Sequence, residues 1–509
     1  MAVALLIFLT LYVPFVNKPV HIDDANFLML AEGATRDWWR PHSILINWSG
    51  ITEPAFDILA NPPGIAWYLA PVRNAPDWLM HLWMSPWLVL AGWGCWRLGV
   101  LFANGAGYLA CLYLLTCPVV VISAHALTPD LPVFACMSAG VAGFLSVPRF
   151  RWAFAIMAGS AALFRYSGGT VIPLLVLAGW WRNGRRGAVL ALLSAVPILL
   201  LVLHDMHAYE KVHLLAMFAS QHDGEEKSLE LAIDNCIAGI AMLGGAGVLP
   251  ILIWCRASVA GTILGIVVAL HVILIDDLRT DQAIPTILAI AAGFAALSLA
   301  FTPRVFNPVL SAWALGGAVF FYFVKFAATR YWAAFLPGVG LLAVRNAKHS
   351  TRWLATGIVI NVVISLGLAI DDQNHAQAHK QAAHYVATFG KGTFSGHWGF
   401  LHYLSKEGWT PIERGGQTGS IHAFATFGSA QFPDSEECLE LIERIPLTDQ
   451  WSGPKVYSWY HRAFYHAGGR GQYAPWTFSN EPYDVVSVYR RCDQEANGPH
   501  PASSGRPEE

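Results

Sequence analysis

The chain has 509 residues, of which 55% are hydrophobic and 13% charged, with a formal net charge of −2 and a mean hydropathy of +0.44. This composition excludes an ordinary soluble enzyme, and the near-neutral charge gives no reason to expect a nucleic-acid partner. Apolar runs recur from residue 1 to about residue 370, each near the ~20 residues that cross a bilayer as a helix.

In chain order, candidate spans fall at 1–16, 80–102, 106–125, 130–147, 152–164, 169–181, 187–203, 232–254, 257–275, 283–301, 307–325, 331–344 and 353–370, about thirteen in all. The stretch 152–181 reads as two short helices meeting at Ser167-Gly168-Gly169, or as one interrupted helix. The first run lacks a basic leader and a small-residue cleavage site, so it reads as a retained anchor; its shortness fits a truncated start. The expected fold class is mainly α: a polytopic helical membrane protein with a small C-terminal α/β domain.

Alternate loops carry Arg97, Arg149/Arg151, Arg182/Arg185/Arg186, Arg256, Arg304 and Arg345/Lys348/Arg352, with no acid among them. All eighteen acids before residue 371 fall in the other loops. The positive-inside rule places the basic loops in the cytoplasm and the acidic ones outside, together with everything after residue 370. The expected location is thus an integral protein of a bacterial inner (plasma) membrane, with the N-terminus cytoplasmic and the tail extracytoplasmic.

Three outward segments stand out. Residues 17–79 form a long first loop rich in Trp and Pro, with Trp38-Trp39-Arg40-Pro41 and Asn61-Pro62-Pro63-Gly64, suited to the membrane interface. Residues 204–231 read as a second external segment with an amphipathic helix. Residues 371–496 read as a soluble unit that opens with a helical pattern and continues with short strands such as Val485–Tyr489; 497–509 read as a disordered tail. Six of the eight cysteines sit in or beside spans as small apolar residues. Cys438 and Cys492 are the two in the tail, where an oxidising compartment permits but does not require a disulfide.

Four constellations carry chemistry. Asp23-Asp24 follow the first span, with Glu32 two turns on; Asp23 at the membrane exit could take a proton from a hydroxyl, or simply cap a helix. Asp130, in Thr128-Pro129-Asp130-Leu131-Pro132, lies in a short external turn, where it could cap the next helix or join Asp24 around a divalent cation such as Mg or Mn. Arg165, Lys325 and Arg330 occupy tight external turns with no acid nearby in sequence, which suits a lipid-anchored phosphate, with snorkelling to membrane lipids as the alternative. His204, Asp205, His207, Glu210, His213, His222 and Asp223 could supply metal ligands, though such clusters are more often polar helix faces.

Together these pieces resemble the GT-C membrane glycosyltransferases: protein O-mannosyltransferases, lipid A aminoarabinose transferases and rhizobial core-sugar transferases. Asp23-Asp24-Ala25-Asn26-Phe27 looks like their Asp-Glu pair, Asn61-Pro62-Pro63-Gly64 like their His-Pro-Pro stretch, and Thr128–Pro132 like their second acidic turn. Arg165–Gly168 and Arg330-Tyr331 through Leu336-Pro337 resemble two further recurrent stretches. The likeness covers residues 1–345 of a 1–370 membrane unit and departs at Asp24, where Glu is usual, and at Asn61, where His is usual. It implies an inverting transfer of a monosaccharide from a polyprenyl-phosphate donor to a hydroxyl of a lipid, protein or polysaccharide. Asp23 is the implied base, Asp24 or Asp130 orients the acceptor, and Arg165, Lys325 and Arg330 hold the donor phosphate. A multi-span transporter and a non-catalytic scaffold presenting the tail are the rival readings. The tail's Trp398, Trp409, Trp451 and Trp459 suit carbohydrate stacking or a small-domain core.

Overall fold

The apolar runs fold as helices, and the chain is mostly helical. The computed structural model describes residues 2–492 apart from 49, 104, 221–228, 255–257, 348–350, 415, 417 and 427–437. The expected 497–509 tail, His222, Asp223, Arg256 and Lys348 lie outside the described residues.

Among the described residues, four helices are long and apolar enough to cross a membrane, or six if each of two bent pairs is one span, against the thirteen expected. Shorter apolar helices add Leu5–Phe15, Val259–Ile275 and Pro308–Phe323. The expected runs exist, but local breaks shorten them. Pro118 divides 106–125 into Gly107–Leu115 and Pro118–Ala124, bent by 65°. The 44-residue stretch Tyr166–Tyr209 is not one rod, because Asn183 and Gly184 leave helical geometry, Gly184 with φ 59°. Beyond that turn Gly179 abuts Gly187, so the chain folds back as a hairpin with Arg182, Arg185 and Arg186 at its tip.

The interruption expected within 152–181 falls at Arg165, extended with φ −153°, between Ala161–Phe164 and the 3-10 turn Tyr166–Thr170. Gly168 permits that turn to close: a Cβ there would lie 2.4 Å from the Ala161 carbonyl carbon. Gly64 has the same role between segments, since its Cβ would meet the Leu163 carbonyl oxygen at 2.4 Å. Two glycines thereby press the end of the first loop against the helix that leads to Arg165.

The first loop holds the helix Asp24–Arg36, a small antiparallel pair of strands (Leu45–Asn47 and Thr52–Pro54) and short helices including Gly64–Leu69 and Asp77–Trp83. The tail does not begin afresh at residue 371. One helix, Thr351–Ala387, runs through that boundary, with no Gly or Pro between 368 and 387 to stop it. Beyond it lies a five-stranded sheet in the spatial order 410–411, 393–395, 421–425, 484–491, 439–447. The first three strands are parallel; Asp484–Arg491 pairs antiparallel with both neighbours. Cys438 and Cys492 close the far end of that pairing as a disulfide, Cα atoms 5.4 Å apart. Trp409 is core, buried and donating Nε1–H to the Gly390 carbonyl, whereas Trp459 is exposed.

Sheet and helices are bound together by buried charge. Lys18 of the first loop pairs with Asp372 at 2.7 Å, and Lys455 pairs with Asp449 at 2.8 Å and Asp371 at 3.4 Å. Nearby, Tyr403 accepts the Val20 N–H and Lys380 pairs with Asp77 at 2.8 Å. The tail is therefore seated on the first loop.

Candidate active site

Asp23 occupies the N-cap position of the Asp24–Arg36 helix, but its side chain caps nothing. Its backbone carbonyl accepts from Asn26 and Phe27, while the carboxylate points away to Arg330, whose Nη2 donates to Oδ2 at 2.5 Å. The residue before it, Ile22, sits at φ 46°, a conformation a β-branched side chain adopts only under constraint. Strain of this kind costs about 1–3 kcal/mol and persists where surrounding contacts over-determine it.

Asp130 opens the helix Asp130–Ser146 and is buried. Arg165 contacts it from two nitrogens, Nε to Oδ1 and Nη2 to Oδ2, both at 3.3 Å, and Arg330 Nε stands 3.9 Å from Oδ2. Both guanidiniums face the Tyr331 ring, at 4.7 Å for Arg165 and 5.7 Å for Arg330. Two arginines without acids nearby in sequence are thus paired in the fold, because turns from separate parts of the chain converge. Lys325 is exposed; its backbone carbonyl and that of Val324 are held by Asn235 Nδ2 at 3.1 and 3.0 Å.

One cavity of about 440 Å³ gathers these groups, with Asp23, Arg165, Lys325 and Arg330 in its wall. Leu214, Met217, Phe218, Phe320, Phe323 and Phe326 line the same cavity. Asn61 also faces it, its backbone carbonyl fixed by His42 Nε2–H at 2.9 Å. Three cations face two carboxylates, so the pocket keeps one surplus positive charge. It can hold an anionic head while its apolar wall takes a hydrocarbon chain.

Asp24 is placed apart from the cavity. It is fully buried and accepts backbone N–H groups from Leu127 at 2.7 Å and His21 at 3.2 Å, which ties the first loop to the 125–130 turn. Burial pushes its carboxyl up to about 7, opposed by Lys18 and by those two N–H groups. With its oxygens so occupied, and Asp130 facing two guanidiniums, the pair does not present a free oxygen set for a shared cation. Among the described residues no group of three or more His, Cys, Asp or Glu is arranged to hold a metal ion. Glu32 pairs with Arg36 and Arg73, away from the site.

The histidine-rich segment is structural where described. Asp205 takes His204 Nδ1 at 3.1 Å and the His213 backbone N–H at 3.2 Å, and the Tyr166 hydroxyl meets His213 Nδ1 at 2.6 Å. These contacts brace the turn that carries Arg165.

No protein-family model and no curated protein matches the sequence. In structure the chain is similar to ArnT from Cupriavidus metallidurans, a lipid A aminoarabinose transferase of the GT-C class that the motifs resemble. The crystal structure bound to undecaprenyl phosphate is 18% identical over 76% of this chain and 70% of that one, with a TM-score of 0.44. The apo structure is 19% identical over 76% and 69%, with a TM-score of 0.41.

Sequence reasoning missed His466. It lies 136 residues beyond Arg330, in the tail, with its Nδ1 3.2 Å from Arg330 Nη1. Nothing in the local pattern Phe464-Tyr465-His466 distinguishes it from the other buried tail histidines. The partners Lys18, Asp371, Asp372 and Lys455 escaped notice for the same reason: their pairing is a property of the fold.

Proposed function

We propose that the chain is a glycosyltransferase that moves a monosaccharide from a polyprenyl-phosphate donor to an acceptor hydroxyl at the outer face of a membrane, with inversion. The observation that carries this reading is one cavity whose lining combines a carboxylate and three cations with aromatic and apolar side chains. A sugar phosphate linked to a long hydrocarbon matches both kinds of lining. The outer face has no supply of nucleotide sugars, so a lipid-linked donor also suits the expected sidedness.

In this scheme Asp23 takes the proton of the acceptor hydroxyl as the oxygen attacks the anomeric carbon. The carbon–oxygen bond to the lipid phosphate breaks on the opposite side, and Arg165, Lys325 and Arg330 stabilise the charge that develops there. Direct attack inverts the centre, since no glycosyl-enzyme nucleophile is required. Asp130 holds the two guanidiniums in place behind the cavity wall. Residues 1–370 form the catalytic membrane unit in this scheme and the tail an extracytoplasmic unit against it.

The test is transfer of radiolabelled sugar from a panel of polyprenyl-phosphate monosaccharides by purified protein in lipid, with native membranes as acceptor source. Transfer by wild type that disappears with Asp23→Asn supports the reading. A well-folded protein that releases sugar from no donor would overturn it in favour of transport or scaffolding.

A further inference from the structure

The tail is joined to the segment that carries Arg330. Residues 327–329 and 465–468 pair through their backbones: Ala327 and Gly468 exchange both N–H···O bonds, at 2.9 and 2.8 Å, and Thr329 N–H donates to the Tyr465 carbonyl at 2.9 Å. The segment zipped in this way leads directly into Arg330. At its end His466 is half-buried, its ring packed at 5.1 Å against Tyr465 and edge-on at 5.4 Å to Tyr457. Arg330 Nη1 donates to His466 Nδ1 at 3.2 Å, while Nη2 of the same guanidinium donates to Asp23.

A guanidinium is planar and its donors form a rigid fork, so fixing one nitrogen orients the others. We infer that His466 is a positioning residue of the active site, contributed by the C-terminal segment, which sets the plane of Arg330 toward Asp23 and the donor phosphate. The inference rests on the proposed transfer reaction and adds a residue to it. Because Nδ1 accepts, the ring proton belongs on Nε2, which is buried and makes no hydrogen bond among the described residues. Burial and the charge of Arg330 hold the imidazole well below its usual pKa, which keeps Nδ1 an acceptor. The tail is then part of the catalytic unit, not a separable acceptor-binding appendage.

The position of the acceptor atom supplies the test. Asn places its carbonyl oxygen near the site of Nδ1, whereas Gln carries it out toward Nε2 and Ala has none. Full-length His466→Asn, His466→Gln and His466→Ala would be compared with wild type in the radiolabelled transfer assay, with yield and melting temperature measured alongside. The expected result is a fall in kcat of about 10- to 100-fold for Ala and Gln, the scale of a small misplacement in an active site, and a loss of no more than about threefold for Asn. The donor KM should change far less than kcat. Equal losses in all three variants, or losses that track melting temperature, would overturn the assignment, as would an Ala variant with unchanged kcat. Absence of transfer by wild type would instead refute the underlying reaction, so the two failures are distinguishable.

Discussion

Arg330 and Asp23 stand 307 residues apart in sequence and 2.5 Å apart in space. The carboxylate expected to act as a base and a cation expected to bind phosphate are therefore partners before any substrate arrives. In the proposed reaction a donor phosphate entering the cavity would compete with Asp23 for the same guanidinium.

Removing either partner should stop transfer without unfolding the protein. Asp23→Asn is expected to lower kcat by about 10²–10⁴-fold, the range for a lost general base. Arg330→Ala should cost about 10²–10³-fold, as for a lost oxyanion donor. Arg330→Lys should recover little, because one ammonium cannot meet Asp23, Asp130 and His466 together. Steady-state kinetics on protein of matched melting temperature checks all three.

Lys325 is exposed at the cavity wall, so its field is screened by salt. Lys325→Ala is expected to raise the donor KM more than it lowers kcat. The wild-type KM should rise with ionic strength, and the variant's should rise less steeply.

The seam between the first loop and the tail depends on the buried Lys18–Asp372 pair. Lys18→Met leaves a buried carboxylate without its partner, which costs about 3–5 kcal/mol. Adding Asp372→Leu should restore much of that loss, since the unpaired charge goes with it. Thermal melting in detergent distinguishes the two outcomes.

Acid should destabilise the protein through its buried histidines. Burial pushes His42 and His402 down to about 3 and His397 and His461 to about 4, and His466 lies well below its usual value. As pH falls below about 6.5 the unfolded chain takes up protons that these folded rings refuse, so stability is lost progressively toward pH 4. Asp24, raised to about 7, acts the other way: it favours folding at low pH and loses that advantage between about pH 4 and 7. Burial raises Asp371 to about 7 as well, but five histidines outweigh these two carboxyls, so the melting temperature should be lower at pH 5 than at pH 7.5. A higher value at pH 5 would refute this accounting.

The Cys438–Cys492 disulfide closes a loop across 54 positions of sequence. Replacing both cysteines by Ser should reduce stability by up to about 4 kcal/mol in the chain-entropy picture. Non-reducing mass mapping of protein from native membranes would show whether the bond forms, which also bears on the sidedness of the tail.

Much of the site was legible in the sequence, because acids and bases are costly beside hydrocarbon and stand out against apolar runs. Asp23, Arg165, Lys325 and Arg330 are conspicuous on that ground, and the fold brings all four to one cavity. Asp24 is equally conspicuous but ends as a buried acceptor of backbone N–H groups, since adjacent residues on a helical turn point in different directions. His466 and Lys455 could not be singled out, lying in a tail of ordinary polarity where charge is unremarkable. Hydropathy falls at Asp371-Asp372 and so divides the sequence there, but the helix runs through because the backbone has no reason to stop.

What the sequence determined by itself is local: the helical character of the apolar runs, the alternation of charge between loops, and the small set of charged residues standing in turns between those runs. Each follows from near-neighbour composition and from the cost of placing charge in lipid. Which charges meet was decided only by the tertiary structure. The Arg330–Asp23, Arg165–Asp130 and Lys18–Asp372 pairs join residues far apart in the chain, and a pairing of that kind depends on how the helices pack, which no local pattern encodes.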